Sequence, residues 1–223
     1  MRLHLRTFHR WHALVMSVVV ITSAGSGLAH TWMARTQAPP PPARPVGVVD
    51  LSAVTTLPAS LPGPAVGVNL RMIGGQPWWQ VVPEGAVPLR WIDARTGTED
   101  ATADQRYAAE IASRSLGGKA VRQTAYLTAF DAEYVNIFRV LPVYRFDADD
   151  ERGTRVYVST LTGSVTRATD DAKQREATIF TVFHKWMFIR NRDVRDWALM
   201  TAMAGLIALA ASGLVLFWRT RPR

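Results

Sequence analysis

Two stretches of the chain carry no Lys, Arg, Asp or Glu: residues 13–33 and residues 197–218. Each is about 21 residues or slightly more, and at 1.5 Å per residue that is enough helix to cross a hydrocarbon core of about 30 Å. Trp11 and Trp32 bracket the first run, Trp197 and Trp218 the second, the placing expected of residues that settle at the membrane interface. Small residues recur at helical spacing on both runs, Thr22, Ser26 and Ala29 on the first and Thr201, Gly205, Ala208 and Ser212 on the second. Such stripes let helices approach closely.

Between the runs the pattern shortens to that of strands and turns. Pro77-Trp78-Trp79-Gln80-Val81 leads, after a turn at Glu84-Gly85, to Leu89-Arg90-Trp91-Ile92-Asp93 and then Thr96-Gly97. Some 65 residues on, Pro142-Val143-Tyr144-Arg145-Phe146 leads, after an acidic turn ending in Gly153, to Arg155-Val156-Tyr157-Val158 and then Thr162-Gly163. Each copy predicts a hairpin of short strands closed by a Thr-Gly turn, and the spacing suggests duplicated units. A helix precedes the second copy: Thr102 and Gln105 form a capping box, Ala108, Ile111 and Ala112 an apolar face, and Gly117-Gly118 a stop. The matching helix of the first copy, residues 51–57, is cut short by Pro58.

The expected fold class is therefore α+β, with two transmembrane helices flanking a periplasmic domain of two helix-plus-antiparallel-sheet units. The boundaries run as a cytoplasmic basic N-terminus at 1–12, a first span at 13–33, a Pro-rich linker at 34–48, units at 49–100 and 101–172, an amphipathic juxtamembrane helix at 173–195, a second span at 196–218 and a basic tail at 219–223.

Charge sets the orientation. Arg2, Arg6 and Arg10 precede the first span and Arg219, Arg221 and Arg223 follow the second, which predicts both termini in the cytoplasm of a bacterial cell and the domain outside. Arg190, Arg192 and Arg195 oppose that assignment. The basic start, apolar centre and Gly27-Leu28-Ala29 also match a cleavable signal peptide, but the charge-free run continues to Met33, which favours an anchor. The net charge of +8 belongs largely to these flanks, and no recognition helix or aromatic-basic strand points to nucleic acid.

Composition narrows the chemistry. With no cysteine in 223 residues, thiol catalysis, zinc-thiolate sites and iron–sulfur clusters are all excluded. The five histidines are His4, His9, His12, His30 and His184, so residues 31–183 contain none. Ser-His catalysis and histidine metal sites are thereby excluded from the domain. Trp78, Trp79 and Trp91 read as core ahead of a stacking platform, and the acidic turn Asp147, Asp149, Asp150, Glu151 lacks the Gly and terminal Glu of a calcium loop.

The order of these motifs resembles the PepSY domain: helix, strands, a P-x-[WY]-x-[VF] strand, then a strand ending in "DARTG" or "STLTG". With Phe8-His9-Arg10-Trp11, Phe183-His184-Lys185-Trp186 and a Ser-Gly-Leu in each span, most of the chain is similar to the PepSY-associated transmembrane proteins, as a short two-span version. That resemblance implies two functions. Some relatives are membrane reductases of ferric siderophores that carry b-type haem between histidines; other PepSY domains are thought to bind or inhibit peptidases.

For this chain the first implies an inner-membrane subunit of iron acquisition, with haem b bound through His30 and His184 on the outer side. His12 and His30 are 18 residues apart, five turns and about 27 Å along one helix face, so the inner side would need His9 or His12 from each of two copies. A homodimer or a partner membrane subunit follows, with a ferric-siderophore complex outside. The second implies a non-enzymatic module tethered to the membrane that binds a periplasmic peptide or peptidase. Histidine and tryptophan near headgroups are also ordinary interface residues.

Overall fold

The computed structural model describes residues 2–37, 39, 48, 50–56, 64–85, 88–138 and 140–220, with 2–4 and 138 described by backbone alone. Most of the expected linker (40–47), Leu57-Pro58, Arg221 and Arg223 lie outside the described residues. The chain divides into two compact units, Met1–Ala38 with Ala172–Arg223, and Pro39–Asp171.

In the first unit, helix α1 spans Arg2–Thr36, 35 residues, and a second long helix spans Arg192–Thr220, 29 residues. Both are long and apolar enough to cross a membrane. Many of their apolar side chains point outward, with Val18, Ile21, Leu28, Ile207 and Leu214 each more than 60% exposed, as lipid-facing residues would be. A shorter helix, Asp171–His184, precedes the second long one; in chain order these are α3 and α4. A turn carrying Trp186 at φ 51° separates them.

The second unit begins, within the described residues, with a single 3-10 turn at Leu51–Ala53 where an α-helix was expected. The chain then runs extended: the Thr55 and Thr56 amides both donate to the Ala94 carbonyl, at 3.0 and 2.9 Å. Two β-branched residues bonded to a strand end favour that path over a helix.

Strands β1 (Gly67–Ile73), β2 (Gln76–Val82) and β3 (Arg90–Asp93) form an antiparallel sheet in that order. After helix α2 (Ala103–Ser115), strands β4 (Val121–Leu127), β5 (Val143–Ala148), β6 (Arg155–Ser159) and β7 (Ser164–Thr169) form a second one. Both expected hairpins are present, and in matching register: Trp79 pairs with Ile92 as Tyr144 pairs with Val158, and Gln80 with Trp91 as Arg145 with Tyr157. Gly97 and Gly163 hold φ of 76° and 65° in the turns that follow, a conformation glycine adopts without strain. Beyond that turn the second sheet gains β7, whereas the first gains only the isolated bridge Ile92–Glu99.

Helix α2 serves both sheets. Its buried face, Ala103, Tyr107, Ala108, Ile111 and Ala112, joins one core with Ile73, Trp78 and Trp91 from the first sheet and Phe146, Val156, Val158 and Val165 from the second. Trp78 and Trp91 are core residues, 8% and 1% exposed. The helix ends as expected at two left-handed glycines, Gly117 and Gly118, but its start differs. Thr102 makes no side-chain cap; the Asp100 carboxylate instead accepts from the Thr102 amide and hydroxyl, both at 2.7 Å. Aspartate two residues upstream turns the chain into the helix and leaves the Thr102–Gln105 box unused.

The far face of the second sheet carries a smaller cluster of Tyr134, Val143 and Tyr157. Glu133 closes it, accepting from Arg155 Nε at 2.9 Å and from the Tyr157 hydroxyl at 2.5 Å. Burial alone would raise the Glu133 pKa, but the bonds from Arg155 and Tyr157 outweigh it and hold the carboxyl below its ordinary range. A depressed folded-state pKa gives stability that is complete above the unfolded value and is lost as pH falls through the folded one. The melting temperature of the wild type should therefore drop more steeply than that of Glu133→Gln between about pH 5 and pH 3. Identical slopes for the two proteins would contradict this role.

Candidate functional site

Four histidines were expected to hold a cofactor, and each now has a defined neighbourhood. His9 and His12 face α4 within the same chain. His12 Nε2 lies 2.8 Å from the Gly205 carbonyl, and because a carbonyl only accepts, Nε2 carries the proton. His9 Nδ1 lies 2.7 Å from Ser212 Oγ. That hydroxyl donates to the Leu209 carbonyl at 2.9 Å, so it accepts from His9, and His9 keeps its lone pair on Nε2.

Small residues on α4 make room for the rings. A Cβ on Gly213 would sit 3.3 Å from His9 Cε1, and one on Gly205 would sit 2.8 Å from Met16 Sδ and 3.7 Å from His12 Cε1. The stripe of small residues on α4 is thus the surface against which two α1 histidines pack. Each commits one ring nitrogen to the intramolecular helix pair, so an inner-side cofactor shared between copies would have to be reached by the other.

At the other end of α1, His30 and His184 come to the same neighbourhood. What they share is Phe180: its ring centroid is 4.7 Å from that of His30 and 4.6 Å from that of His184. Their hydrogen bonds diverge. His30 Nδ1 bonds Glu176 Oε1 at 2.5 Å, and Glu176 also accepts from the Gln37 side chain. His184 Nδ1 donates to the Ser23 carbonyl at 3.3 Å, with Ser26 Oγ at 3.5 Å.

Both rings therefore hold Nδ1–H toward these partners, which leaves Nε2 as the nitrogen through which a neutral imidazole would ligate a metal. A carboxylate on the opposite nitrogen, as on His30, is the usual outer-shell partner of such a ligand. Taken singly, each ring has the form of a haem ligand. Taken together they share the Phe180 ring as packing partner, while their Nδ1 atoms are held by different groups, Glu176 and the Ser23 carbonyl.

A second site lies in the domain, where no sequence motif pointed. A cleft of about 200 Å³ opens among the first turn of α2, the approach to β3 and the second sheet, lined by Leu89, Asp104, Tyr126, Tyr144, Thr160 and Leu161 among others. Asp104 is its one acid. Its Oδ1 accepts from Trp91 Nε1 at 2.9 Å and its Oδ2 from the Tyr144 hydroxyl at 2.8 Å. Tyr126 and Tyr144 lie 4.6 Å apart at 48°. Burial raises the Tyr144 pKa, and the Asp104 bond raises it further; both tyrosines titrate above their ordinary range, so the pair stays neutral. Asp104 in a first helical turn reads from sequence as a dipole-matched surface charge, and only the fold reveals that a strand residue 40 positions later bonds it.

No protein-family model, curated protein or solved structure matches the chain.

The two helix contacts of the histidines differ in strength. His12→Leu should weaken the α1–α4 pair by about 1 kcal/mol, the usual scale for one interhelical hydrogen bond in a membrane. His184→Leu, which removes a longer bond, should cost less. Reversible unfolding in mixed micelles measures both, and a costless His12→Leu would show that the contact is incidental.

Proposed function

We propose that this chain is a two-span inner-membrane protein whose PepSY-like domain is a non-enzymatic binding module held on the periplasmic side. The single observation that carries this reading is the cleft at the junction of both sheets and α2, in a domain that holds neither histidine nor cysteine. A concave site with aromatic and apolar walls and one placed charge is built to bind. Ser-His, cysteine and histidine-zinc hydrolysis all need residues that residues 39–171 lack. The two long helices supply the tether, and the histidines serve to pair them. The basic residues before the first span support cytoplasmic termini. Since the chain has no native thiol, a Thr98→Cys variant tests this directly: a membrane-impermeant maleimide should label it in cells with only the outer membrane opened. Labelling only after the inner membrane is broken would reverse the topology.

A second reading is favoured by one observation, the open Nε2 of His30 with Glu176 behind it. In that reading the chain is a subunit of iron acquisition that binds b-type haem, which would supply one-electron transfer toward periplasmic ferric complexes. It requires Nε2 of His30 and Nε2 of His184 to turn toward one iron, or a second copy to bring its own. The absorption spectrum of full-length protein purified in detergent from haem-replete cells separates the readings. The binding-module reading predicts no Soret band above background. A band that disappears in His30→Ala or His184→Ala overturns it in favour of the haem protein.

A further inference from the structure

We infer that the cleft in the domain binds an organic cation of side-chain size, an alkylammonium or alkylguanidinium group, through Asp104 and the tyrosine pair. The inference rests on the binding-module reading and names the ligand class of that same site.

The charge pattern of the domain points to it. Among the described residues, each other acid of the domain that is at least partly buried pairs with a basic side chain: Asp93 with Arg95, Asp100 with Arg106, Glu110 with Arg114, Glu133 with Arg155, Asp147 with Arg145, Asp150 with Lys119 and Asp170 with Arg152. Asp104 is half-buried and, among the described residues, has only the neutral donors Trp91 Nε1 and the Tyr144 hydroxyl. An ionised carboxylate has about four lone-pair positions, and these two bonds use half of them. The remaining capacity and the whole negative charge are left at a cleft wall. A carboxylate at a cleft wall with no basic side chain beside it interacts best with a ligand that brings positive charge.

The rest of the lining selects which cation. Tyr126 and Tyr144, set at 48° to each other, offer ring surface beside the carboxylate, and aromatic faces attract ammonium and guanidinium groups. Leu89 and Leu161, with Pro88 and Pro142, supply apolar wall for an alkyl stem. A hydrated metal ion finds only one carboxylate there, and no group of three metal-ligating side chains occurs among the described residues. A volume of about 200 Å³ suits one amine-bearing chain and is smaller than the clefts that hold drug-sized ligands. The Trp91 and Tyr144 bonds fix the carboxylate in advance, so little is lost in ordering it on binding.

The test titrates full-length protein in detergent with n-butylammonium, n-butylguanidinium, neutral n-butanol and the peptide acetyl-Gly-Arg-Gly-amide. The Trp91 indole N–H resonance serves as the reporter, because it bonds Asp104 directly. The expected result is a saturable shift with the cations in the millimolar range or below, and binding weaker by at least about tenfold for butanol. Asp104→Asn, which keeps an acceptor for Trp91, should lose at least about tenfold in cation affinity. Tyr126→Leu, at a 46% exposed position, gives an independent loss should the first variant fold poorly. Tighter binding of the peptide than of n-butylguanidinium assigns the cation to a polypeptide side chain; equal binding assigns it to a free amine or guanidine. No saturable shift with any cation, or equal affinity in wild type and both variants, overturns the inference. That failure with no Soret band leaves a binding module for another ligand; a histidine-dependent Soret band removes the module reading itself.

Discussion

Everything in the domain depends on one helix being apolar enough to face two sheets at once. Ala103, Ala108 and Ala112 are fully buried, and their small side chains let strands approach the α2 backbone. Tyr107 and Ile111 fill the space between. A three-stranded sheet and a four-stranded one would each be marginal with an uncovered face. Covered by the same helix, they share a core and fold as one body, which is how Pro39–Asp171 divides from the rest of the chain. The cleft follows from this arrangement. Its acid comes from the first turn of α2, its tyrosines from β4 and β5, and Pro88 and Leu89 from the approach to β3, so no single unit of the repeat contains it.

The helix pair obeys a different physics. Both helices are long and apolar enough to cross a membrane, and in lipid apolar surface gives such helices no reason to associate, so close packing with interhelical hydrogen bonds serves instead. Ser26 and Ala202 are buried while Leu28, Met203 and Ile207 near them are exposed. His9 and His12 fit the same logic, each donating across the pair to Ser212 and Gly205. Imidazoles often regarded as ligands at a membrane margin are here part of what joins the helices. At the other end of α1, His30 is held by Glu176 of α3, a bond that fixes the start of the short helix against the long one.

Local pattern made much of this legible. Alternating aromatic and branched residues bounded by Pro77, Pro142, Gly97 and Gly163 located both hairpins, because a strand and its turn are written within ten residues. The α2 face and its glycine stop were equally readable. What local pattern does not contain is partnership. That Ile111 packs with Trp91 on one side and Val158 on another depends on contacts between segments some 20 to 50 residues away. The Thr102–Gln105 box was misleading because Asp100 reached the same amide first. The sequence puts the histidines near the ends of the charge-free runs, but His12 packs beside Gly205, near the middle of α4, and His184 beside Ser23, near the middle of α1. The direction of His9 and His12 was set by where α4 lacks side chains, at Gly213 and Gly205. Asp104 gave no signal, since its partners Trp91 and Tyr144 lie on opposite sides of it in sequence.

Hydrogen–deuterium exchange on the full chain, comparing wild type with Ile111→Ala, tests the shared helix most directly. Removing a buried isoleucine side chain costs about 2–5 kcal/mol. If α2 carries both sheets, amide protection must fall together, and by similar factors, in β2 and in β6. A loss confined to one sheet, with the other still fully protected, would show two separately stable units and contradict the account.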